Sequence, residues 1–172
     1  MRILGIDPGT RKTGYGLLQW DGEVRAEDWG VVSMLRKKSL DERLYELYYR
    51  LSELVKLYQP TEVAVEEPFM GKGESRFTAP AFAIGQAQAA VIIAASGHGV
   101  PIFRYAPSQI KQAVADYGRA SKEQVQELIG RQLGLPLPFP ESDAADALAI
   151  ALCHVRRRQT DAVLARSTSV KI

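Results

Sequence analysis

The amino-acid sequence predicts an α/β domain with a mixed five-stranded sheet that is flanked by helices. Three observations support this fold class. Residues 1–32 contain three short strand patterns joined by turns, residues 40–58 carry apolar side chains at helical spacing, and further short strands then alternate with helices. The opening strands are expected to form an antiparallel meander, and the later strand-helix-strand units to add parallel strands.

Length and composition are those of one compact domain. The chain has 172 residues, of which 46% are apolar and 24% charged. We expect one domain over residues 1–158 and a flexible C-terminal tail over residues 159–172, because no durable period follows the arginines at 156–158.

Charge and cysteine content limit the functional classes to which the protein can belong. The net charge of +2 is far from that of a strongly basic nucleic-acid binder, although bound divalent cations would add positive charge to a pocket of acids. The single Cys153 cannot form an internal disulfide and is expected to be a small buried hydrophobe.

A cytoplasmic location is expected from two observations. The longest apolar stretch, near residues 87–95, is shorter than a membrane span, and the N-terminus lacks the pattern of a secretory signal.

The first strand delivers a carboxylate to a turn. Ile3, Leu4 and Ile6 form an apolar run that ends at Asp7, and Pro8-Gly9 then favours a tight turn. Further glycines at 14 and 16 allow the returning strand to pass close to another backbone or a ligand. A buried acid here needs a partner or a metal, although Asp is also common in turns for local reasons alone.

The next elements bring a second strand-end acid. Asp21-Gly22 predicts a hairpin turn into a strand over residues 24–32, and Ser39 with Glu42 resembles a capping box for a helix over residues 40–58. Residues 61–66 then form a β-branched strand that ends in Glu66 and Glu67. Either acid could converge with Asp7 at the sheet edge, or both could simply face solvent.

The segment after this strand combines Phe69, glycines and Lys72, a composition typical of a surface loop. The phenylalanine could stack on an unpaired base while the lysine meets phosphate, although a Phe after a strand is more often part of the core.

An alanine-rich helix is predicted from about residue 77 to 95, with apolar side chains on most of its faces. Such a helix must be buried on most faces, which favours a symmetric dimer in a chain of this length. On this basis Ile84→Glu or Ala87→Glu should produce monomers.

The second half of the chain adds cations and a further pair of acids. A strand over residues 100–105 precedes helices that carry Lys111 and Lys122, which could face phosphate or only solvent. Asp143 and Asp146 are three residues apart at the start of the last helix, so both can lie on one face. Their interaction with the helix dipole is a sufficient structural explanation by itself.

Together these residues predict a metal site. Two strand-end acids and two acids on one helix face make an all-oxygen donor set, which favours Mg²⁺ or Mn²⁺ over zinc. Two such ions can activate water and stabilise the leaving oxygen in phosphodiester hydrolysis.

The residues named so far resemble the RuvC family of Holliday-junction resolvases. The resemblance covers about residues 1–155 in order, through Gly5-Ile-Asp7-Pro-Gly9 with Gly14-Tyr-Gly16, then Val65-Glu66 with Phe69-Met70, and Asp143-Ala-Ala-Asp146-Ala-Leu-Ala-Ile-Ala. It implies a ribonuclease-H-like fold, a homodimer, and Mg²⁺-dependent paired nicking of four-way DNA junctions that leaves 5′-phosphate and 3′-hydroxyl ends, in recombination and repair.

The resemblance also implies roles for particular residues. The metal-binding and catalytic acids of the family fall on Asp7, Glu66, Asp143 and Asp146, with two Mg²⁺ ions per subunit that Mn²⁺ can replace. The base-stacking aromatic falls on Phe69, the DNA-contacting lysines fall on Lys111 and Lys122, and Lys72 is a further candidate. The branch-migration proteins RuvA and RuvB are implied partners. Glu67 remains a competitor of Glu66, and some relatives have histidine at the position of Asp143.

Three other functions compete with this interpretation. A ribonuclease-H-like nuclease acting on RNA or hybrids would share the chemistry, and junction, duplex and RNA substrates would separate the two. An actin or sugar-kinase-like ATPase shares an Asp-x-Gly-Thr loop, but it needs two domains, and a failure to bind ATP would exclude it. A non-catalytic DNA-binding module would use the acids only structurally. The nuclease instead predicts that Asp7→Asn still binds junctions but no longer cuts them.

Overall fold

The computed structural model of the chain describes residues 1–67, 78–115 and 118–169, the last three by their backbone alone. Within these residues the chain forms five strands and five helices. In chain order they are β1 (Arg2–Asp7), β2 (Lys12–Trp20), β3 (Val24–Ser33), α1 (Leu40–Tyr58), β4 (Glu62–Glu66), α2 (Ala79–Gly97), β5 (Ile102–Tyr105), α3 (Pro107–Ala115), α4 (Lys122–Leu133) and α5 (Ser142–Ser169).

The strands form one mixed sheet in the order β3-β2-β1-β4-β5. The β1-β2 and β2-β3 pairs are antiparallel, and the β1-β4 and β4-β5 pairs are parallel. The predicted fold class is therefore confirmed, including the opening meander and the later parallel strands. Since β1 and β4 are parallel neighbours, their C-terminal residues lie at the same edge of the sheet.

Helices cover both faces of the sheet. On one face α1 and α2 pack on Leu4, Ile6 and Val65, and on the other α3, α4 and α5 pack on Ile3, Leu18 and Ala64. Along β1 and β4, odd-numbered β1 residues and even-numbered β4 residues face α5. The direction of each strand-end side chain follows from this alternation.

Local sequence signals begin three of the helices. The Ser39 hydroxyl accepts a hydrogen bond from the Glu42 amide, and the Glu42 carboxylate accepts one from the Ser39 amide, which completes the predicted capping box of α1. Ser121 and Gln124 do the same for α4. The α2 helix is capped by Thr78, with Pro80 in its first turn where a missing amide is tolerated.

The α2 helix is longer than the apolar stretch recognised in the sequence. An 18-residue window within its 19 residues has a mean hydropathy of 1.4, which is enough by length and composition for a membrane span, and 33% of this window is buried in the protein. One such helix is weak evidence of a membrane span, because the core helices of soluble proteins pass the same test. Its inner side packs Ala87, Val91 and Ala94 into the core.

The α5 helix is also longer than predicted. The described part of the expected tail, residues 159–169, is helical and continues α5 without a break. The division of the chain at residue 158 remains a prediction.

Candidate active site

Four acids come to one edge of the sheet from three elements. Asp7 is the last residue of β1, Glu66 is the last residue of β4, and Asp143 and Asp146 lie in the first turns of α5. The strand ends meet because β1 and β4 are parallel and in register, with Ile6 opposite Val65.

The alternation of side chains decides which strand-end acid joins the cluster. Ala64 contributes to the core beneath α5, whereas Val63 and Val65 contribute to the opposite core. Glu66 therefore points to the α5 face, as Asp7 does. Glu67 is exposed and lies beyond the strand, where its amide donates a 2.8 Å hydrogen bond to the Tyr105 carbonyl oxygen. The geometry favours Glu66 over its neighbour as the fourth acid.

Glycines allow α5 to approach the sheet closely. Gly14 is the register partner of Asp7, and a Cβ atom added to it would collide with the carbonyl oxygen of Asp143. A Cβ added to Gly16 would lie 2.8 Å from the Leu148 side chain. The first turns of α5 can reach Asp7 only because these β2 positions carry no side chain.

Three of the acids form a tight group. One carboxylate oxygen from each of Asp7, Asp143 and Asp146 lies within 4.8 Å of the others. Glu66 stands outside this trio but lines the same cavity of about 360 Å³ as Asp7 and Asp146. The structure thus brings all four predicted acids together, with Glu66 at a greater distance.

Burial and neighbouring charge raise the pKa of three of the acids, Asp7, Glu66 and Asp146. Burial, followed by the charges of Asp146, Glu66 and Asp143, raises the pKa of Asp7 from 3.8 to about 7. Burial and the charge of Asp146 also raise the pKa of Glu66. For Asp146, burial raises the pKa in spite of the opposing contact with Lys122. These acids repel one another, so a cation among them would be favourable.

This donor set fits a hard divalent cation. The ligand atoms are all carboxylate oxygens, which suit Mg²⁺ or Mn²⁺, and the unfavourable charge of the group is the kind that a divalent ion relieves. The acid cluster supports the prediction that the protein uses a divalent metal ion.

Both predicted helix lysines line the cavity. The ammonium of Lys122 lies 2.6 Å from a carboxylate oxygen of Asp146, and Lys111 lines the cavity wall from α3. Burial alone would lower the pKa of Lys122, but its contacts with Asp146 and the other acids outweigh this and raise it. The Lys122 side chain is nevertheless 53% exposed, and a role of either lysine toward phosphate stays a prediction. Phe69 and Lys72 lie outside the described residues.

Sequence reasoning missed residues that hold the site in place. The buried Thr13 hydroxyl donates to the Gly9 carbonyl oxygen at 2.8 Å and accepts from the Gly9 amide at 3.1 Å, which closes the turn after Asp7. Arg43 donates to the Thr10 carbonyl oxygen at 3.0 Å, and Gln88 donates to the Glu66 carbonyl oxygen at 3.1 Å. A threonine four residues from a turn glycine is a weak local signal. The other two contacts join distant segments and leave no trace in the sequence.

Comparison with known proteins places the chain in a family. A sequence model described as "Crossover junction endodeoxyribonuclease RuvC" matches residues 3–154. The protein of that name from Roseiflexus sp. is 43% identical over 155 residues, which is 89% of each chain. The one from Dehalococcoides mccartyi is 44% identical over 160 residues, which is 92% of this chain and 93% of the relative.

Solved structures agree with the sequence comparison. Thermus thermophilus RuvC superposes with a TM-score of 0.82 at 35% identity and covers 94% of this chain and 97% of its own. T. thermophilus RuvC in complex with a Holliday junction substrate gives 0.84 at 36% identity, covering 94% of this chain and 96% of its own. A yeast mitochondrial Holliday junction resolvase, at 20% identity and a TM-score of 0.59, shares the fold, which is ribonuclease-H-like. By sequence, by fold and by the acids assembled at the edge of its sheet, this chain belongs to the RuvC family of crossover junction endodeoxyribonucleases.

Proposed function

We propose that this protein is a structure-specific endodeoxyribonuclease that resolves four-way DNA junctions by paired, symmetric nicks during recombination and repair. The observation that carries the proposal is the convergence of Asp7, Asp143 and Asp146, with Glu66 in the same cavity, in a chain that belongs to the RuvC family. The junction-bound structure of T. thermophilus RuvC supports four-way DNA as the substrate class.

The four acids are proposed to hold the metal. Asp7, Glu66, Asp143 and Asp146 would bind two Mg²⁺ ions, which Mn²⁺ can replace. When bound, these ions supply an activated water and stabilisation of the leaving 3′ oxygen. The acids themselves act as ligands and not as nucleophiles, and their mutual repulsion in a partly buried pocket favours ion binding.

The lysines are proposed to meet the DNA backbone. Lys111 and Lys122 border the acids and carry positive charge into an otherwise negative cavity, where a phosphate would otherwise be repelled. Lys122 neutralises Asp146 through its 2.6 Å contact and can transfer that interaction to an incoming phosphate. Phe69 and Lys72 are proposed to contact unpaired bases and phosphate near the junction centre.

A homodimer is proposed through the outer side of α2 and the adjoining part of α1. Phe82, Ile84 and Ile93 on α2 are 60%, 42% and 59% exposed, and Tyr45 on α1 is 71% exposed. Between the helices lies an apolar groove of about 430 Å³ lined by Leu44, Tyr45, Tyr48, Gln86, Ala89, Ala90 and Ile93. An apolar surface of this kind needs a partner. A second copy of the chain fits the two-fold symmetry of a four-way junction.

Three further assignments complete the proposal. We propose that residues 1–158 form the nuclease domain, that the protein works in the cytoplasm, and that it acts beside the branch-migration proteins RuvA and RuvB.

The decisive experiment uses a mobile four-way junction with labelled strands. With Mg²⁺, the wild-type protein should nick opposing strands at symmetric positions and leave ligatable ends. Asp7→Asn should bind the junction within about threefold of wild type, because the fold and the cavity lysines are unchanged. It should not cut the junction. Linear duplex DNA and a structured RNA are the substrates with which cleavage of the junction is compared.

The ribonuclease and the non-catalytic binding module predict different results in this assay. Preferential cutting of RNA or hybrids would indicate the ribonuclease, undiminished cutting by Asp7→Asn would remove the catalytic role of the acids, and no cutting of any substrate by wild type would leave only a binding module.

A further inference from the structure

A second group of buried polar side chains lies at the opposite end of β4 from Glu66. Glu62, the first residue of β4, is 8% exposed and His154 of α5 is fully buried. The His154 Nε2 atom lies 2.5 Å from a Glu62 carboxylate oxygen, and its Nδ1 atom lies 2.5 Å from the Tyr105 hydroxyl. Burying such groups is unfavourable unless all of them are paired, so the arrangement needs an explanation.

Arg158 completes the group from the next turn of α5. Its guanidinium contacts both carboxylate oxygens of Glu62, with a 3.0 Å hydrogen bond from Nε and a second bond from a terminal nitrogen. It also lies over the Phe103 ring at 4.5 Å. The His154 ring contacts both β4 and β5, and Arg158 contacts the same two strands. This cluster, Glu62, Tyr105, His154 and Arg158, is called the β4-α5 clamp below.

Hydrogen bonding within the clamp is complete. Burial lowers the pKa of His154, so the neutral ring donates from Nε2 to Glu62 and accepts at Nδ1 from the Tyr105 hydroxyl. Burial by itself would raise the pKa of Glu62, but hydrogen bonds from Arg158 and His154 outweigh it and lower the pKa. Among the described residues, no buried side-chain polar atom lacks a partner. A fully paired buried network fixes one geometry.

The clamp and the acids are connected by two rigid elements of nearly equal length. Glu62 and Glu66 are separated by four strand residues, or about 13 Å at the usual rise. His154 and Asp146 are separated by eight helical residues, or about 12 Å. The two elements run in opposite directions, so pairing Glu62 with His154 at one end brings Glu66 and Asp146 opposite each other at the other end. The charge of Asp146 indeed acts on Glu66.

The rest of the α5 contact is made largely by small residues. Beneath its first half the helix presents Ala144, Ala147 and Ala151 to glycine-containing strands, and the Leu148 side chain packs over Gly16. These contacts set how closely the helix approaches the sheet. The clamp adds side-chain hydrogen bonds from α5 to β4 and β5, and directional bonds of this kind fix the position of the helix along its axis.

We propose that the β4-α5 clamp is a positioning device that sets where α5 stops along β4, and thereby the separation of Glu66 from Asp146. The inference rests on the proposed nuclease function of those acids. Its residues lie at the opposite end of β4 from Glu66 and act through the acids. A displacement of about 1 Å at reacting groups can lower a rate about 100-fold, so the effect is measurable.

The principal test replaces the carboxylate. Glu62→Val keeps a strand-forming residue and removes the clamp. It should bind junction DNA within about twofold of wild type, while kcat falls at least tenfold and Mn²⁺ binding to the free protein, measured by calorimetry, weakens several-fold. Glu62→Gln keeps one acceptor oxygen for His154 Nε2 and Arg158 Nε but turns its amide NH2 toward the terminal nitrogen of Arg158, so its losses should be smaller than those of Glu62→Val in each measurement.

Two further variants separate positioning from stability. Leu51→Ala removes a buried side chain of α1 on the opposite face of the sheet and should lower the melting temperature while leaving kcat per folded molecule and Mn²⁺ affinity unchanged. If Glu62→Val does not fold, the double variant Glu62→Val with Arg158→Met carries the test, since replacing both charges by apolar groups commonly restores stability.

The outcomes are distinct. Unchanged kcat and Mn²⁺ affinity in a folded clamp variant would overturn the inference, as would losses equal to those of Leu51→Ala at matched stability. A wild-type protein that fails to cut junctions would instead contradict the proposed function, and the Mn²⁺ titration would still report whether the clamp positions the acids.

Discussion

Asp7 is a residue at which stability and metal binding oppose each other. Its pKa is raised to about 7 by burial and by three neighbouring acids. Between pH 4 and 7 the unfolded chain has lost a proton that the folded protein keeps, so this group lowers stability as pH rises through that window. In the absence of metal, the ionised Asp7 therefore destabilises the folded protein at neutral pH.

We expect Asp7→Asn to stabilise the metal-free protein at pH 7.5 by about 1–3 kcal/mol, because the amide is uncharged and nearly the same shape. The gain should be small at pH 4 and grow up to about pH 7. Thermal unfolding in a chelating buffer across this pH range measures it. Added Mg²⁺ should stabilise the wild type and not the variant. A stability difference that does not change with pH would contradict the assigned origin of the shift.

The choice between Glu66 and Glu67 also belongs to the residue scale. Both faces of β4 are buried, so the alternation of apolar residues in the sequence could not identify the side on which α5 lies. In the structure, Ala64 packs in the core beneath α5 and Val65 packs in the core on the opposite face. The alternation of side chains along β4 then places Glu66 on the α5 side, in the cavity.

At the scale of elements, the approach of α5 to β2 controls the geometry of the acid trio. Gly14 lies under the Asp143 carbonyl, where even a methyl group has no room. The motif glycines at 14 and 16 therefore act through packing as well as through turn formation.

We expect Gly14→Ala to push the first turn of α5 away from Asp7. Overpacking of this kind typically lowers stability by about 1–3 kcal/mol. Junction cleavage and Mn²⁺ binding should fall more than stability alone explains. Gly97→Ala, at the end of α2 where an added Cβ meets nothing within 4 Å, is the matched control and should retain both. Wild-type metal binding by Gly14→Ala would show that α5 has freedom to shift without consequence.

At the scale of the whole molecule, the apolar outer side of α2 is a feature of the described residues that a monomer leaves unexplained. Of the two substitutions suggested by the sequence, only Ile84→Glu tests the interface. Ala87 is fully buried against the sheet, so Ala87→Glu would disrupt the core as well. The helical pattern alone did not distinguish the inner from the outer side, because nearly every side of α2 is small or apolar.

We expect Ile84→Glu and Ile93→Glu to produce folded monomers, because each places a charge in an apolar contact. Sedimentation should show half the wild-type mass, and junction assays should show isolated nicks in place of paired ones. Leu57→Glu is the control, since Leu57 on α1 is 70% exposed and lies outside the groove. A glutamate variant that remains dimeric would remove α2 from the interface.

The sequence by itself determined the order of strands and helices, their caps, the acids and cations of the site, and the family resemblance. These depend on local periodicity, turn chemistry and motif spacing, which neighbouring residues carry. The tertiary structure alone decided that Glu66 and not Glu67 faces α5, that Lys122 meets Asp146, and that Glu62, His154 and Arg158 lock α5 against β4. Each of these depends on which faces of distant segments meet, and that is fixed by packing across the sheet.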